Sequence, residues 1–454
     1  MASSIEYDAP QESALLWPRF AERISTGRER SLALMARVVL ACFLSGYFLV
    51  YNDALHLGGL AIALVYLLPR APWRSLGAEL GADRLLWSVA HFLCWMTLRS
   101  FLTGLPTTFE GRREMCGWLF GVLMLGAFGV LVWIAAARPG NMRLPALVVG
   151  FSAAFAGALS IIVFYGILPT HMVGERLQNW FVYGGLNAVS TGLTLGFAGL
   201  WLATRWETLP VRLKRPVLAA MIVIHTAVLF TRCRGALAAL AVGYLALLVC
   251  RGWRRTRFVL FVIVGVTVLF QTSAPVVSWL AEQKWQWTHP VAVIDQNVVG
   301  FAETYSNPAQ ELVVRKDSGR FTIYRAAWQS LQGVQWHMFG LGEWGTDSLW
   351  RSRLPSSPEH MHSALLATYV HGGWVGCGLL LMVLFLGFQR AASLAKRVGD
   401  DQWLILLIYG CASVTFDGQT FTSLASVPQF ESLLVWLPLF ACASAWSHMK
   451  RVAA

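Results

Sequence analysis

Charge is what this sequence has least of. Asp, Glu, Lys and Arg make up 13% of its 454 residues, where a soluble domain carries roughly a quarter. Hydrophobic residues reach 56%, and the mean hydropathy is +0.55. Apolar runs of about 20 residues recur, each long enough to cross a hydrocarbon core. Lipid offers the backbone no hydrogen-bond partners, so only helices or closed barrels can span it. The runs are continuous rather than alternating, which excludes a barrel. The fold class expected is an all-α integral membrane protein.

Other absences narrow the chemistry. The eight cysteines, at 42, 94, 116, 233, 250, 377, 411 and 442, show neither zinc-site spacing nor a disulfide framework. There is no Gly-rich phosphate loop and no Gly-x-Ser-x-Gly elbow. The long outer loop holds no Asp-x-Asp or Glu-x-x-His pair, and Asp295, Asp317 and Asp347 lie far apart in it. No metal ligands and no cofactor are expected. Internal repeats are missing, as is the matched pair of broken half-helices that many transporters show. Residues 1–30 are polar, and the apolar run that follows is too long for a cleaved signal, so the first span is expected to be its own insertion signal.

What the chain does carry is an excess of positive charge, +12 at neutral pH. In a soluble protein that would suggest nucleic acid. Here the arginines fall in short loops that set membrane orientation, and no nucleic-acid partner is expected. About 12 transmembrane helices are expected, near 31–50, 54–69, 85–104, 115–137, 144–168, 185–204, 214–231, 235–250, 256–273, 364–388, 402–421 and 430–447. Alternate loops differ in Lys and Arg; one rich loop holds Arg251, Arg254, Arg255 and Arg257. The rich set marks the cytoplasmic side, which puts both termini inside. The organisation expected is a cytoplasmic segment 1–30, nine spans over 31–273, a large outer loop 274–363, three spans over 364–447 and a cytoplasmic tail 448–454.

That loop, of about 90 residues, is too long for a plain connection. It holds Trp279, Trp285, Trp287, Trp328, Trp336, Trp344 and Trp350, so interfacial helices are expected in it. Phe321, Tyr324, Trp328 and Leu331 fall at helical spacing within Ser318–Leu331, with Asp317 or Ser318 as cap. The Gly340-Leu341-Gly342 turn should end the helical stretch.

A few cations break the charge rule. Arg176, Arg232, Arg234, Arg320 and Arg325 all fall on the positive-poor side. A guanidinium there can snorkel to lipid headgroups, or its planar fork can hold a diphosphate with parallel hydrogen bonds. Arg234, just before Gly235 in a tight loop, is the strongest candidate of the set, because an ionisable residue at membrane depth is functional by default. His91, Arg99 and His225 lie inside spans and are read as packing or interfacial. His362 stands where the outer loop runs back into an apolar segment. It could cap a helix, or it could act as a general base between a lipid-linked substrate and a polar acceptor. His337, His360 and His371 are read as structural or interfacial.

These residues resemble one family. His362-Ser363, nine residues and then Gly373-x-x-Gly376 resemble the His-[Asn/Ser/Gln]-x9-Gly-x-x-Gly motif of O-antigen ligases. Ser318-Gly319-Arg320 to Trp328, followed by Phe339-Gly340-Leu341-Gly342, is similar to the stretch upstream of that motif. Arg232-Cys233-Arg234-Gly235 resembles the family's Ser-Arg-Gly segment, with Cys233 in place of serine. Asn187 stands where the family has an Asn-rich helix start, but the Asn-Pro-Asn form is missing. The resemblance runs from about Gly174 to Gly376.

The resemblance implies a GT-C-like glycosyltransferase of the bacterial inner membrane with a periplasmic active site. It would move a polysaccharide from undecaprenyl diphosphate to lipid A-core, with inversion and without metal. It implies His362 as the catalytic group and Arg176, Arg232, Arg234, Arg320 and Arg325 as phosphate-binding groups. Ser363, Gly340, Gly342, Gly373 and Gly376 would be motif residues. The alternatives are an O-antigen polymerase, a protein O-oligosaccharyltransferase and, outside the enzymes, a lipid-linked sugar transporter or flippase.

Overall fold

A computed structural model describes residues 27–50, 53–71, 73–103, 109–137, 142–167, 176–177, 188–288, 320–331, 333–342, 363–417, 424–425 and 428–453. Every regular element among them is helical. In chain order these are α1 (Gly27–Leu49), α2 (Asp53–Leu67), α3 (Trp73–Ala82), α4 (Arg84–Leu102), α5 (Phe109–Ala135), α6 (Arg143–Ile161), α7 (Ala188–Arg205), α8 (Val211–Phe230) and α9 (Arg234–Arg251). There follow α10 (Trp253–Thr256), α11 (Phe258–Thr288), α12 (Arg320–Ser330), α13 (Val334–Phe339), α14 (Ala364–Val398), α15 (Gln402–Asp417) and α16 (Phe430–Ala453).

A helix covers most of each apolar run expected to span. Among the described residues, eight helices are long and apolar enough to cross a membrane; Leu55–Arg70 and Gln402–Thr415 are apolar but shorter. Val249, Ile62 and Leu123 are among the largely exposed apolar side chains. In lipid that exposure carries no penalty.

The spans pack by the rules of lipid, where small residues rather than hydrophobic collapse bring helices together. The innermost helix is α7, in which every residue except Val189 is buried. Its glycines admit neighbours that a Cβ would meet: Thr231 and Ala236 at Gly192, the Tyr409 hydroxyl at Gly196, and His225 at Gly199. Helix α4 shows the ordinary alternative, a stripe. Leu85, Val89, Phe92, Met96 and Ser100 are buried at helical spacing, while Trp87, Leu98 and Leu102 face outward.

Ion pairs fix one end of the bundle. The Arg251 guanidinium grips Asp401 with two hydrogen bonds, 2.7 and 2.5 Å, and also donates to Thr204 O at 2.7 Å. That ties the last turn of α9 to the start of α15 and the end of α7. Asp83 caps α4 by accepting from Leu85 N and Leu86 N, and it receives Arg390 of α14 at 2.9 and 3.3 Å. The last turns of α9 and α14, through Arg251 and Lys396, also line one cavity of about 440 Å³, with Thr208 just past the end of α7. Since α9 and α14 end together and both are long enough to cross a membrane, Arg234 and the start of α14 lie toward its other side.

Two helices outrun their apolar segments. Helix α11 was expected to stop at 273 but continues to Thr288, and α14 was expected to stop at 388 but continues to Val398. The extension of α14 keeps Gly387, Ala391 and Leu394 buried at helical spacing, so packing sustains it after the lipid-length apolar run ends. In the outer loop the expected helix over 318–331 is described as α12, from Arg320. Its suggested caps, Asp317 and Ser318, lie outside the described residues.

Candidate active site

The first part of the site is the turn between α8 and α9. Helix α8 ends at Phe230, and the chain reverses within three residues. Arg232 adopts φ +48°, the one positive φ outside glycine among the described residues. A side chain in that region crowds its own backbone, and such outliers persist where the surroundings hold them. The turn is held from both sides. Thr231 Oγ1 donates to Val228 O at 2.7 Å and accepts from Cys233 N at 3.3 Å. Cys233 is extended and takes the N-cap of α9, its sulfur accepting from Ala236 N at 3.4 Å. The thiol thus fills the place a serine hydroxyl would fill.

Arg234 is the first residue of α9, at a helix end whose orphan N–H groups carry partial positive charge. The segment Arg176-Leu177 docks on the same turn. Leu177 N donates to Phe230 O at 3.0 Å, and Arg176 Nε donates to Thr231 O at 3.0 Å. Arg176, 55 residues upstream of Thr231 in sequence, is therefore brought beside Arg232 and Arg234. All three side chains are half-buried. Gly192 of α7 makes room for this turn, since a Cβ there would lie 2.9 Å from Thr231 Oγ1.

The second part surrounds the start of α14. Ser363 is the N-cap, extended and 8% exposed, with its hydroxyl accepting from Leu366 N at 3.4 Å. The helix then breaks at Gly373, which has φ +63° and ψ −163°. A break frees carbonyls of the preceding turn, and buried carbonyls need new donors. Val370 O accepts from Leu341 N at 2.8 Å, and Gly372 O accepts from Trp95 Nε1 of α4 at 2.9 Å.

The Gly340–Gly342 turn is seated in that break. Gly340 has φ +74°, and a Cβ on it would strike the His371 carbonyl; a Cβ on Gly373 would strike Met338 and Phe339. The two glycines therefore allow two backbones to touch. Gly342, φ +70°, lies as closely against Thr103 just past α4, with the backbone of Arg99 and Ser100 next. Gly376 is in ordinary contact with Met96 and Trp95. Arg99 completes the joint: its Nε and one terminal nitrogen donate to Gly340 O at 2.9 and 2.8 Å, and its guanidinium lies 5.5 Å from the Trp336 ring centre.

An aromatic group adjoins this joint. His337 Nδ1 and the Tyr369 hydroxyl share a hydrogen bond of 2.5 Å. Trp328 stacks on Tyr369 with centroids 5.8 Å apart and planes 18° apart, and Trp374 lies 4.9 Å from Tyr369 on another side.

The expected site residues thus fall into two groups at one end of the array. Arg176, Arg232 and Arg234 are gathered at the α8–α9 turn; Ser363, Gly340, Gly342, Gly373 and Gly376 are gathered at the start of α14. Arg325 lies exposed on α12. His362, the expected catalytic group, His360, Asn187 and the Arg320 side chain lie outside the described residues. Arg99 had been read as packing or interfacial, and the structure gives it a more particular partner in the motif's own turn. The signal for it was a guanidinium within an apolar run. His91 and His225 keep packing partners, Trp87 O and the pair of Met221 O and Tyr244. Among the described residues no cluster of three His, Cys, Asp or Glu side chains is positioned to hold a metal.

No curated protein matches the chain. Residues 218–397, from within α8 to the last turn of α14, match the family model described as O-antigen ligase.

Proposed function

We propose that this protein transfers an O-antigen polysaccharide from undecaprenyl diphosphate to lipid A-core. The observation that carries the reading is the gathering of Arg176, Arg232 and Arg234 at one turn, at the same end of the bundle as the start of α14. Negative charge develops on the diphosphate as it leaves the anomeric carbon. Fixed guanidinium forks stabilise that charge better than water, because they need no reorganisation at the moment of reaction. Arg320, at the start of α12, is a further phosphate-binding candidate by the family resemblance.

The acceptor hydroxyl needs orientation and a base on the opposite face of the anomeric carbon. His362 precedes the buried N-cap Ser363 in sequence and takes that role in this reading. Attack by the acceptor oxygen forms the new glycosidic bond as the bond to diphosphate breaks, inverting the centre. The proton passes to the imidazole, and undecaprenyl diphosphate is the leaving group. No metal is assigned to the step. The same reading takes the chain as GT-C-like, with twelve spans, cytoplasmic termini and a periplasmic site in the inner membrane.

The test is transfer of lipid-linked polysaccharide to purified lipid A-core by the purified chain. Chelator should leave the rate intact; inhibition reversed by magnesium would overturn the metal-free step. Elongation of lipid-linked chains without transfer to lipid A-core would instead make the protein a polymerase. Accumulation of lipid-linked polymer on the inner leaflet in cells lacking the protein would point to a flippase.

A further inference from the structure

Tryptophans near a bilayer surface are commonly interfacial anchors, with the ring among lipids and the N–H at the headgroups. Trp328 is set differently. Its helix α12 turns Arg325, Trp328 and Gln329 to the outside together, at spacings of three and four residues that share one helix face. Among the described side chains of α12, the exposed ones are a guanidinium, an indole and an amide. Ala327 and Leu331, on the inner side, are fully buried in a small core with Leu341, Ala367, Tyr369 and Val370. This core is separate from the main one and fixes α12 and α13 on the start of α14.

The ring itself is held in one attitude. Trp328 is 56% exposed, yet one of its faces is stacked on Tyr369, which is only 6% exposed. Tyr369 is fixed in turn by its hydrogen bond to His337, whose ring lies 5.0 Å from Trp328. The outcome is a preset indole plate with its outer side exposed, and Arg325 one helical turn before it. The electron-rich face of an aromatic ring attracts groups of partial positive charge. The C–H edge of a pyranose presents such a row of hydrogens, while its hydroxyls take up donors at the rim.

We propose that Trp328, backed by Tyr369 and His337, is a stacking platform for a sugar ring of the acceptor glycolipid, with Arg325 hydrogen-bonding its hydroxyls. The acceptor is preferred to the donor because of position. Tyr369 lies six residues into the helix that Ser363 caps, roughly 9 Å along the axis, whereas the arginines assigned to the donor belong to the α8–α9 turn. The proposal rests on the reading that the acceptor meets the chain beside His362.

Two measurements on the full chain in detergent or nanodiscs test it: transfer rates with each substrate varied in turn, and direct binding of purified lipid A-core glycolipid. Trp328→Ala should raise the KM for lipid A-core by about tenfold, with donor KM and kcat little changed. Trp328→Phe, which keeps an aromatic face and the packing on Tyr369, should recover much of that loss. An unchanged acceptor KM in Trp328→Ala overturns the platform, as does a rise in donor KM alone. A loss of membrane-inserted protein that accounts for all lost activity makes Trp328 an anchor and also overturns it. The binding arm separates this claim from the reaction. Glycolipid binding that weakens in Trp328→Ala, by a wild-type chain that transfers nothing, keeps the platform and defeats the proposed transfer.

Discussion

At the scale of single residues, the α8–α9 turn makes separable demands on backbone and charge. Arg232 sits at φ +48°, a conformation glycine adopts without strain. Arg232→Gly should therefore hold or raise thermal stability while transfer falls, because the guanidinium is gone. Parallel losses of stability and activity would mean the arginine serves the fold alone. Arg234→Lys keeps the charge but loses the fork, and should cost roughly a hundredfold in rate with expression unchanged. Normal turnover in that variant would take Arg234 out of the site. Cys233 caps α9 through its sulfur. Cys233→Ser should leave both activity and stability intact, while Cys233→Ala should lose about 1 kcal/mol of stability, read as a shift in the thermal midpoint of the solubilised protein.

At the scale of elements, the joint between α4, the Gly340 turn and the break in α14 holds the part that the proposed reaction gives to the acceptor. Arg99→Met removes the donors to Gly340 O, leaving a carbonyl unmatched at a cost of about 1–3 kcal/mol. Arg99→Lys should retain part of the contact. If Arg99→Met matches wild type in both thermal midpoint and transfer rate, the joint does not depend on it.

This joint also shows where the sequence stopped being legible. Hydropathy located the helices, because lipid rewards apolar length directly. It did not locate their ends at Thr288 and Val398, since the extension of α14 is kept by packing at Ala391 and Leu394 rather than by lipid. The motif glycines were visible as small residues near His362. That Gly340 and Gly373 are interlocked, with Arg99 from a distant span fastening them, was not visible. A contact between positions 241 residues apart leaves no local pattern. The docking of Arg176 on Thr231 was hidden for the same reason. Cys233 was visible in the family's serine position, but its place as N-cap comes from the structure.

At the scale of the whole molecule, the chain divides its charged contacts between two ends. One end holds the Arg251–Asp401 and Arg390–Asp83 pairs, with side chains only 4–13% exposed. The other end holds the arginine turn and the start of α14. Breaking a nearly buried pair leaves a charge without its partner, so Asp401→Asn should cost about 3–5 kcal/mol of stability. Because Asp401 lies at the far end, the protein that does fold should transfer at the wild-type rate, measured per folded molecule. A rate that collapses with the fold intact would mean the two ends are coupled.

The central claim is that lipid-linked polysaccharide passes to lipid A-core at the periplasmic end, with His362 as base. It is tested most directly by in vitro transfer with purified donor and acceptor, comparing wild type with His362→Ala without added metal. The account predicts transfer by wild type and a loss of about a hundredfold or more in a folded His362→Ala variant. Equal transfer by both proteins would place the catalytic centre elsewhere and contradict the account.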